Sequence, residues 1–238
     1  MVKHGKKYRD SFEEIKASDS YLPEAAVSLA KKTAKAAFDE TVEVHIRTRA
    51  DTKHADQLLR GVALLPHGLG KQIKVLVFAE GEAATIAEQS GADYVGAEDI
   101  AKRIEDGWVD FDLAIATRDM MGKIGKLGRV LGKRGLMPNP KTGTVVQEAQ
   151  DIPQAIDEAR KGRVEYRMDR TGIIHAPLGK ASFEVNALME NMATLMSEVS
   201  KNRPSGVKGQ FVKSIVLATT MGPGIPIDVT AALSLEVD

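Results

Sequence analysis

Alternating apolar and polar residues predict four strands that each keep one face exposed. In "ETVEVHIRT" (40–48), Val42, Val44 and Ile46 alternate with polar side chains, as expected of an antiparallel strand covered on one side. The stretches "RVEYRMD" (163–169), "GIIHAP" (172–177) and "FVKSIVLAT" (211–219) repeat the pattern. Because 169–172 begins with Asp and ends with Gly, it suits a type I turn, which predicts that the second and third strands form a hairpin.

The middle of the chain has a different pattern. "KVLVFAEG" (74–81) and "DLAIAT" (112–117) are almost unbroken apolar runs, typical of parallel strands covered on both faces. Between them, 82–91 and 98–107 are helical in pattern and end in glycine, and "DYVGA" separates the two. The order predicts a βαβαβ unit in an open sheet.

An inserted module divides the alternating strands, so the flanking segments must fold together to bury their sheet. We therefore predict an α/β protein of two domains. A split βαβ-like α+β domain comprises 1–67 and 159–238, and a Rossmann-like three-layer α/β domain comprises 68–158. The helix predicted over 182–201, with Ser182 as its N-cap, covers the outer sheet. Its apolar residues follow a 3, 4 spacing, so its methionines are predicted to be core residues rather than a binding surface: Leu188, Met189, Met192, Leu195, Met196 and Val199. The chain crossings near 64–70 and 147–153 are expected to act as hinges.

Composition excludes several classes of function. The chain has no cysteine, which excludes disulfides, thiol catalysis and thiolate metal sites. No apolar run approaches the roughly 18 residues of a membrane helix. We therefore expect a soluble, unexported, cytoplasmic protein with no membrane partner.

The 33 basic and 33 acidic residues balance, so a polyanion partner must be recognised by local patches. Three basic clusters are present: Arg118, Lys123, Lys126, Arg129, Lys133, Arg134 and Lys141; Arg160, Lys161, Arg163, Arg167, Arg170 and Lys180; and Lys3, Lys6, Lys7 and Arg9. Such clusters can bind a phosphate backbone, or they can be solvated helix faces.

The glycine-rich segment 122–143 lacks the spacing of a nucleotide-binding loop. Its nearest match, Gly128 to Lys133, is one residue short and is followed by Arg134 rather than Ser or Thr. A flexible cationic segment whose backbone approaches a polyanion is the alternative. The histidines show no recognised metal spacing, and no catalytic constellation is present. We predict no cofactor, no metal and no enzymatic activity.

Eight distinctive segments follow one another over almost the whole chain: "KHGKKYR", "FDETVEVH", "LPHGLGK", "GADYVG", "DFDLAIAT", "LGKRGLMPNPKTGTV", "RTGIIHAPLGKASF" and "TTMGP". Together they resemble the bacterial-type large-subunit ribosomal protein L-one family. The resemblance implies a first domain built from both termini and an inserted Rossmann-like second domain, which matches the division reached from the pattern.

The resemblance also implies a function. Family members bind large-subunit ribosomal RNA at the mobile stalk beside the exit site and help deacylated exit-site tRNA to leave. Bacterial members repress translation of their own operon by binding its messenger RNA, and we expect a monomer when free. The family's RNA contacts map onto Phe38, Thr41, Glu43, Asp169, Arg170, Thr171, Gly172, Ser214, Thr220, Met221 and Gly222, and more weakly onto Lys35.

The residue types fit this role. Thr41 and Glu43 are two apart, so both project from one strand face, where they can meet 2′-hydroxyls or base edges. Thr220 offers a hydroxyl, Met221 an adaptable apolar surface, and Gly222 a backbone with no side chain in the way. Each also has an ordinary structural explanation, and Phe38 in particular can be buried beneath the sheet.

Two departures from the family pattern bear on binding. Lys133 stands where bacterial relatives usually have proline, so the segment there is less restricted. The zero net charge predicts a shallower salt dependence than is usual for the family. The alternatives are a nucleotide-using enzyme built on the inserted domain and a regulatory RNA binder that does not join ribosomes. The segment after Gly222 is left unassigned.

Overall fold

The computed structural model describes residues 5–15 and 20–236. In chain order, the helices are α1 (Lys6–Glu13), α2 (Pro23–Thr33), α3 (Glu82–Gln89), α4 (Glu98–Glu105), α5 (Met120–Ile124), α6 (Gly128–Arg134), α7 (Ile152–Arg160), α8 (Val185–Lys201) and α9 (Val229–Leu233). The strands are β1 (Thr41–Thr48), β2 (Arg60–Leu64), β3 (Val75–Phe78), β4 (Tyr94–Gly96), β5 (Leu113–Thr117), β6 (Val145–Val146), β7 (Arg163–Arg167), β8 (Ile173–Lys180), β9 (Val212–Thr219) and β10 (Ile225–Ile227). Within this described part, no helix is both long and apolar enough to cross a membrane.

The chain forms two compact units. Unit 1 comprises Met1–Gly70 and Gly162–Asp238, and unit 2 comprises Lys71–Lys161. Residues 147–153, where the sequence suggested a crossing between domains, lie inside unit 2. The reason is that α7 packs against β5 and α3 of that unit.

Unit 1 contains a four-stranded antiparallel sheet in the order β10-β9-β1-β8. The predicted strands at 40–48 and 211–219 are confirmed as β1 and β9. The buried residues of β1 are Val42, Val44, Ile46 and Thr48. Its other face remains accessible, as the alternation predicted.

The predicted hairpin is wrong in its pairing. Strand β7 pairs along its length with β2 in a separate two-stranded sheet, and it meets β8 at an isolated bridge between Met168 and Ile174. The turn itself is present, since the Gly172 N–H lies 3.2 Å from the Asp169 carbonyl oxygen. Beyond this turn the chain passes from one sheet into the other.

Helix α8 covers the core of unit 1 through residues at the predicted 3, 4 spacing. Leu188, Met192, Leu195, Met196 and Val199 are buried there, which confirms the methionines as core residues. Ser182, however, is not the N-cap, because α8 begins after Glu184. The Ser182 hydroxyl instead donates to the Asp39 carboxylate at 2.7 Å.

Unit 2 is a parallel sheet in the order β4-β3-β5-β6 between two layers of helices. The predicted βαβαβ order is confirmed. Gly91 and Gly107 follow α3 and α4 with φ of 79° and 101°, a region that favours glycine. One core packs α4, α5 and α6 on the sheet and the other packs α3 and α7, so the unit has the three layers of the predicted α/β fold.

The basic, glycine-rich segment of unit 2 is mostly helical rather than flexible. Residues 120–134 form α5, a 3₁₀ turn and α6 in succession. Met120, Ile124, Leu127 and Leu131 are buried at helical spacing. The seven cations of the first basic cluster are exposed on this segment and its flanks.

Candidate nucleic-acid interface

The start of β1 and the end of β9 lie side by side. Val42 pairs with Thr219 in the antiparallel ladder. One residue further, the Thr41 N–H donates to the Thr220 hydroxyl at 2.9 Å, and the Thr220 N–H donates to the Thr41 carbonyl at 3.1 Å. Two stretches 179 residues apart in the chain are thereby fixed together at one edge of the sheet. We call this edge, formed by residues 38–43 and 219–222, the strand-end platform.

Thr41 and Glu43 project from the same face of β1, as their spacing predicted. Both are half-buried, whereas Val42 between them is fully buried. Lys180 is opposite Thr41 in β8, and its ammonium donates to the Thr41 hydroxyl at 3.0 Å. The sequence grouped Lys180 with Arg170, but the structure places it at the platform.

The platform displays two apolar side chains to solvent. Phe38 is 55% exposed and Met221 is 63% exposed. The alternative that Phe38 is buried beneath the sheet is therefore wrong. Large apolar side chains held at a polar strand end are available to stack on a base or pack on a ribose.

Glu40, which the sequence analysis did not single out, connects both halves of the platform. Its side chain is buried, with 1% of the residue exposed. One carboxylate oxygen accepts from the Ala36 N–H at 2.9 Å and the other accepts from the Met221 N–H at 2.9 Å. A single side chain thus fixes the loop that carries Phe38 and the turn that carries Met221.

The charge of Glu40 is stabilised by these contacts. Burial alone would raise the pKa of Glu40, but the N–H groups of Met221 and Ala36 donate to the charged form and bring the pKa below its ordinary value. The carboxylate is therefore ionised at neutral pH, and each of its oxygens already accepts a hydrogen bond from a backbone N–H of the protein. Its signal in the sequence was an acid placed immediately before a strand.

Gly222 has a reason within the fold. A Cβ at this position would lie 2.3 Å from the Thr219 hydroxyl oxygen, far inside van der Waals contact. The Gly222 N–H also donates to the Thr219 carbonyl at 3.1 Å. Within the fold, the side chain of Thr219 is therefore sufficient reason for glycine at position 222.

The remaining predicted residues lie at the other end of the sheet. In the register of β1, Arg47 is paired with Ser214 of β9 and Ile173 of β8, and the 169–172 turn comes immediately before Ile173 in the chain. At about 3.3 Å per residue, the length of β1 separates this end from Thr41 by about 20 Å. The eleven predicted site residues thus form two groups on one sheet.

The 169–172 turn uses Asp169 to hold itself together. The carboxylate accepts from the Thr171 and Ile173 N–H groups, each at 2.8 Å, and from the Thr171 hydroxyl. Burial acts to raise the pKa of Asp169, but these donors lower it to about 2. Gly172 has φ 79°, and its carbonyl accepts from the Thr48 N–H at 2.9 Å. Arg170 and the outer surface of Thr171 remain exposed.

Two histidines face each other midway between the two groups. His45 and His175 are paired across β1 and β8, and their Nδ1 atoms are 2.8 Å apart. Burial and the neighbouring His175 lower the pKa of His45. In the described residues, no group of three or more histidine or acidic side chains is arranged to hold a metal ion.

The N-terminal basic cluster lies partly outside the described residues, because Lys3 is not among them. Lys7 donates to the Lys35 carbonyl at 3.1 Å, and the Lys35 ammonium lies 3.1 Å from the Glu14 carboxylate. Lys35, the weakest of the residues matched from the sequence, therefore lies beside the platform with part of its charge paired.

Comparison with known proteins agrees with the two-domain α/β fold. The family model described as "Ribosomal protein L1p/L10e family" matches residues 30–223. The chain is 55% identical to large ribosomal subunit protein uL1 of Dehalococcoides mccartyi strain BAV1, with 99% of each chain covered. It is 52% identical to the protein of the same name from Thermomicrobium roseum, over 98% of this chain and 97% of that one. These matches confirm the resemblance seen in the motifs and the prediction of a ribosomal protein rather than an enzyme: the chain belongs to the ribosomal protein L1p/L10e family.

Proposed function

We propose that the chain is a structural component of the large ribosomal subunit and binds large-subunit ribosomal RNA through the exposed face of the four-stranded sheet in unit 1. The observation that carries the proposal is the strand-end platform, in which two hydrogen bonds join Thr41 to Thr220 while Phe38 and Met221 stay exposed. A preorganised surface binds folded RNA without the entropic cost of ordering it. The names of the relatives, large ribosomal subunit protein uL1, support the same partner.

The charges on this face suggest how RNA is read. Lys180 lies beside Thr41 and is suited to a phosphate oxygen, which positions the RNA without specifying its sequence. Glu43 would be repelled by phosphate, so we place it against a 2′-hydroxyl or a base-edge donor. The second group, at Arg170 and Ser214, contacts the RNA at a separate point along the same sheet, which fixes its orientation.

The test is RNA affinity of single variants measured by filter binding to a large-subunit ribosomal RNA fragment. Met221→Ala and Thr220→Ala should each cost about 1–3 kcal/mol, or about 5-fold to 150-fold in Kd. The matched control is Leu22→Ala, which removes an apolar side chain that is 65% exposed elsewhere in unit 1 and should leave the affinity unchanged. Equal affinities for wild type and both platform variants would refute the proposed surface.

We also propose two further roles that the family resemblance suggests, namely assistance to the release of deacylated exit-site tRNA and repression of the protein's own operon through its messenger RNA. If one surface serves both RNAs, the variants that weaken ribosomal RNA binding should relieve repression in a translation reporter. Cosedimentation of the chain with large subunits in a sucrose gradient distinguishes a ribosomal component from a purely regulatory RNA binder.

A further inference from the structure

A cavity of about 370 Å³ opens beside the strand-end platform. It lies within unit 1, between α1, the end of α2, the loop before β1, and Met221. Its volume falls within the range of about 300–1,000 Å³ that is usual for small-ligand pockets. The RNA contacts implied by the family resemblance begin at Lys35, so helix α1, which closes one side of the cavity, was not part of the predicted site.

The walls suit a flat aromatic group. Tyr8 of α1, Phe38 of the loop and Met221 of the turn all line the cavity. Aromatic rings and a polarisable thioether are the side chains on which nucleobases stack, at about 1–3 kcal/mol per base. Ser11 and Thr33 also line the cavity. Their hydroxyls already donate to backbone carbonyls, so they offer a base edge only acceptor lone pairs.

The cations of the lining suit a phosphate. Lys7 and Lys35 both line the cavity, and Lys7 is bonded to a backbone carbonyl at 3.1 Å. That contact occupies one of the three ammonium donors and neutralises none of its charge. The acid in the wall, Glu40, already accepts from two backbone N–H groups of the same wall.

The cavity is continuous with the platform, because Met221 and Glu40 line it and are the chain neighbours of Thr220 and Thr41. RNA lying on the platform would therefore pass its mouth. We propose that the cavity binds one unstacked nucleobase of the bound RNA, with the adjacent phosphate held by Lys7. This inference rests on the proposed function and adds α1 to the RNA-binding surface.

The experiment couples a change in the RNA to a change in the cavity. Large-subunit RNA fragments are prepared, each with one unpaired nucleotide replaced by an abasic site, and their affinities are measured with wild type and Tyr8→Ala. One abasic site should weaken wild-type binding about tenfold. The same replacement should cost Tyr8→Ala about threefold less, because that variant has already lost part of the stacking surface. Tyr8→Phe keeps the ring and should behave as wild type, and Leu22→Ala should show the full abasic penalty.

A second measurement does not depend on any variant folding. 2-Aminopurine placed at the sensitive position should change its fluorescence on wild-type binding, as expected when a base leaves the RNA stack and enters an aromatic pocket. No change in fluorescence overturns the proposal.

The outcomes separate the cavity from the surface. If Met221→Ala weakens binding while every abasic penalty is the same in wild type and Tyr8→Ala, the cavity proposal is wrong and the RNA surface stands. If wild type binds no fragment, both are wrong. If adenosine monophosphate alone raises the melting temperature and no abasic coupling appears, the cavity is a small-nucleotide site instead.

Discussion

Replacement of Glu40 by glutamine tests whether one buried carboxylate organises the strand-end platform. The side chain of Glu40 accepts from the Ala36 N–H with one oxygen and from the Met221 N–H with the other. Glutamine has nearly the same shape but offers only one acceptor, and its NH₂ group would face the second N–H. The substitution therefore removes the charge and one of the two bonds without creating a cavity.

The expected loss can be worked from these contacts. A hydrogen bond to a charged group contributes about 1.5–3 kcal/mol, and a buried N–H left without an acceptor costs about 1–3 kcal/mol. Partial relaxation of the loop reduces the second cost, so we expect a net loss of about 2–3 kcal/mol in the free energy of unfolding. At about 2–4 °C per kcal/mol for a domain of this size, the melting temperature of unit 1 should fall by about 4–12 °C.

The assay is urea unfolding of wild type and Glu40→Gln, together with affinity for the ribosomal RNA fragment. Affinity should fall about tenfold, because one of the two segments that carry Phe38 and Met221 is then no longer held in place. Glu24→Gln is the matched control, since it removes the same charge from an exposed position of α2. It should cost a few tenths of a kcal/mol through the helix dipole and leave RNA affinity unchanged.

The pH dependence gives an independent check. The folded-state pKa of Glu40 lies below its ordinary value of 4.5, so its contribution is complete above that value and is lost as the pH falls through the lowered pKa. The stability difference between wild type and Glu40→Gln should therefore shrink in acid. A Glu40→Gln variant within about 0.5 kcal/mol of wild type at pH 7, with unchanged RNA affinity, would refute the role assigned to this carboxylate.

Two further predictions concern the 169–172 turn and helix α6. Asp169→Asn should lower the free energy of unfolding by about 1 kcal/mol at pH 7, a value reduced for the partial exposure of the carboxylate. Folding lowers the pKa of Asp169 from 3.8 to about 2. The difference between the urea midpoints of wild type and Asp169→Asn should therefore be complete above pH 3.8 and disappear as the pH falls toward 2. Gly132→Ala should raise the free energy of unfolding of unit 2 by about 0.5–1 kcal/mol, since the position is helical and a Cβ there meets nothing within 4 Å. The control Gly135→Ala should be destabilising, because Gly135 has φ 72°. A loss of stability in Gly132→Ala would favour the flexible segment expected from the sequence.

The elements that could be predicted from sequence are those whose pattern reflects burial along a single segment. Alternation identified β1 and β9, unbroken apolar runs identified β3 and β5, and the 3, 4 spacing identified α8. In each case the segment buries either one face or both faces. The order of its apolar and polar residues then indicates the element, whichever segment it packs against.

Pairing could not be read in the same way. The 169–172 turn has the residues of a hairpin, yet β7 pairs with β2, which lies about a hundred residues earlier in the chain. Strand β2 itself is short, and β10 contains a proline, so neither carries a strong strand signal. The partner of β2 lies far away in the sequence, whereas β10 pairs with β9, the strand just before it.

The same limit applies to the candidate site. Side-chain period placed Thr41 and Glu43 on one face, but only the register shows that Thr220 bonds to Thr41 and that Ser214 lies at the other end of the sheet. Glu40 went unnoticed because an acid before a strand usually faces water. Its burial depends on two N–H groups supplied by other segments.

The contacts divide the residues of the surface into those that hold its loops in place and those whose side chains are free to touch RNA. The carboxylates of Glu40 and Asp169 accept hydrogen bonds from backbone N–H groups of the protein. The side chain of Thr219 lies where a Cβ at position 222 would be, so that position requires glycine. These residues shape the surface, and their substitution should alter stability as well as affinity. Phe38 and Met221 instead expose more than half of their surface, so their loss should alter affinity alone. In a chain whose net charge is zero, the nonspecific attraction to phosphate is weak, and selectivity for RNA then depends on how firmly the first set holds the second.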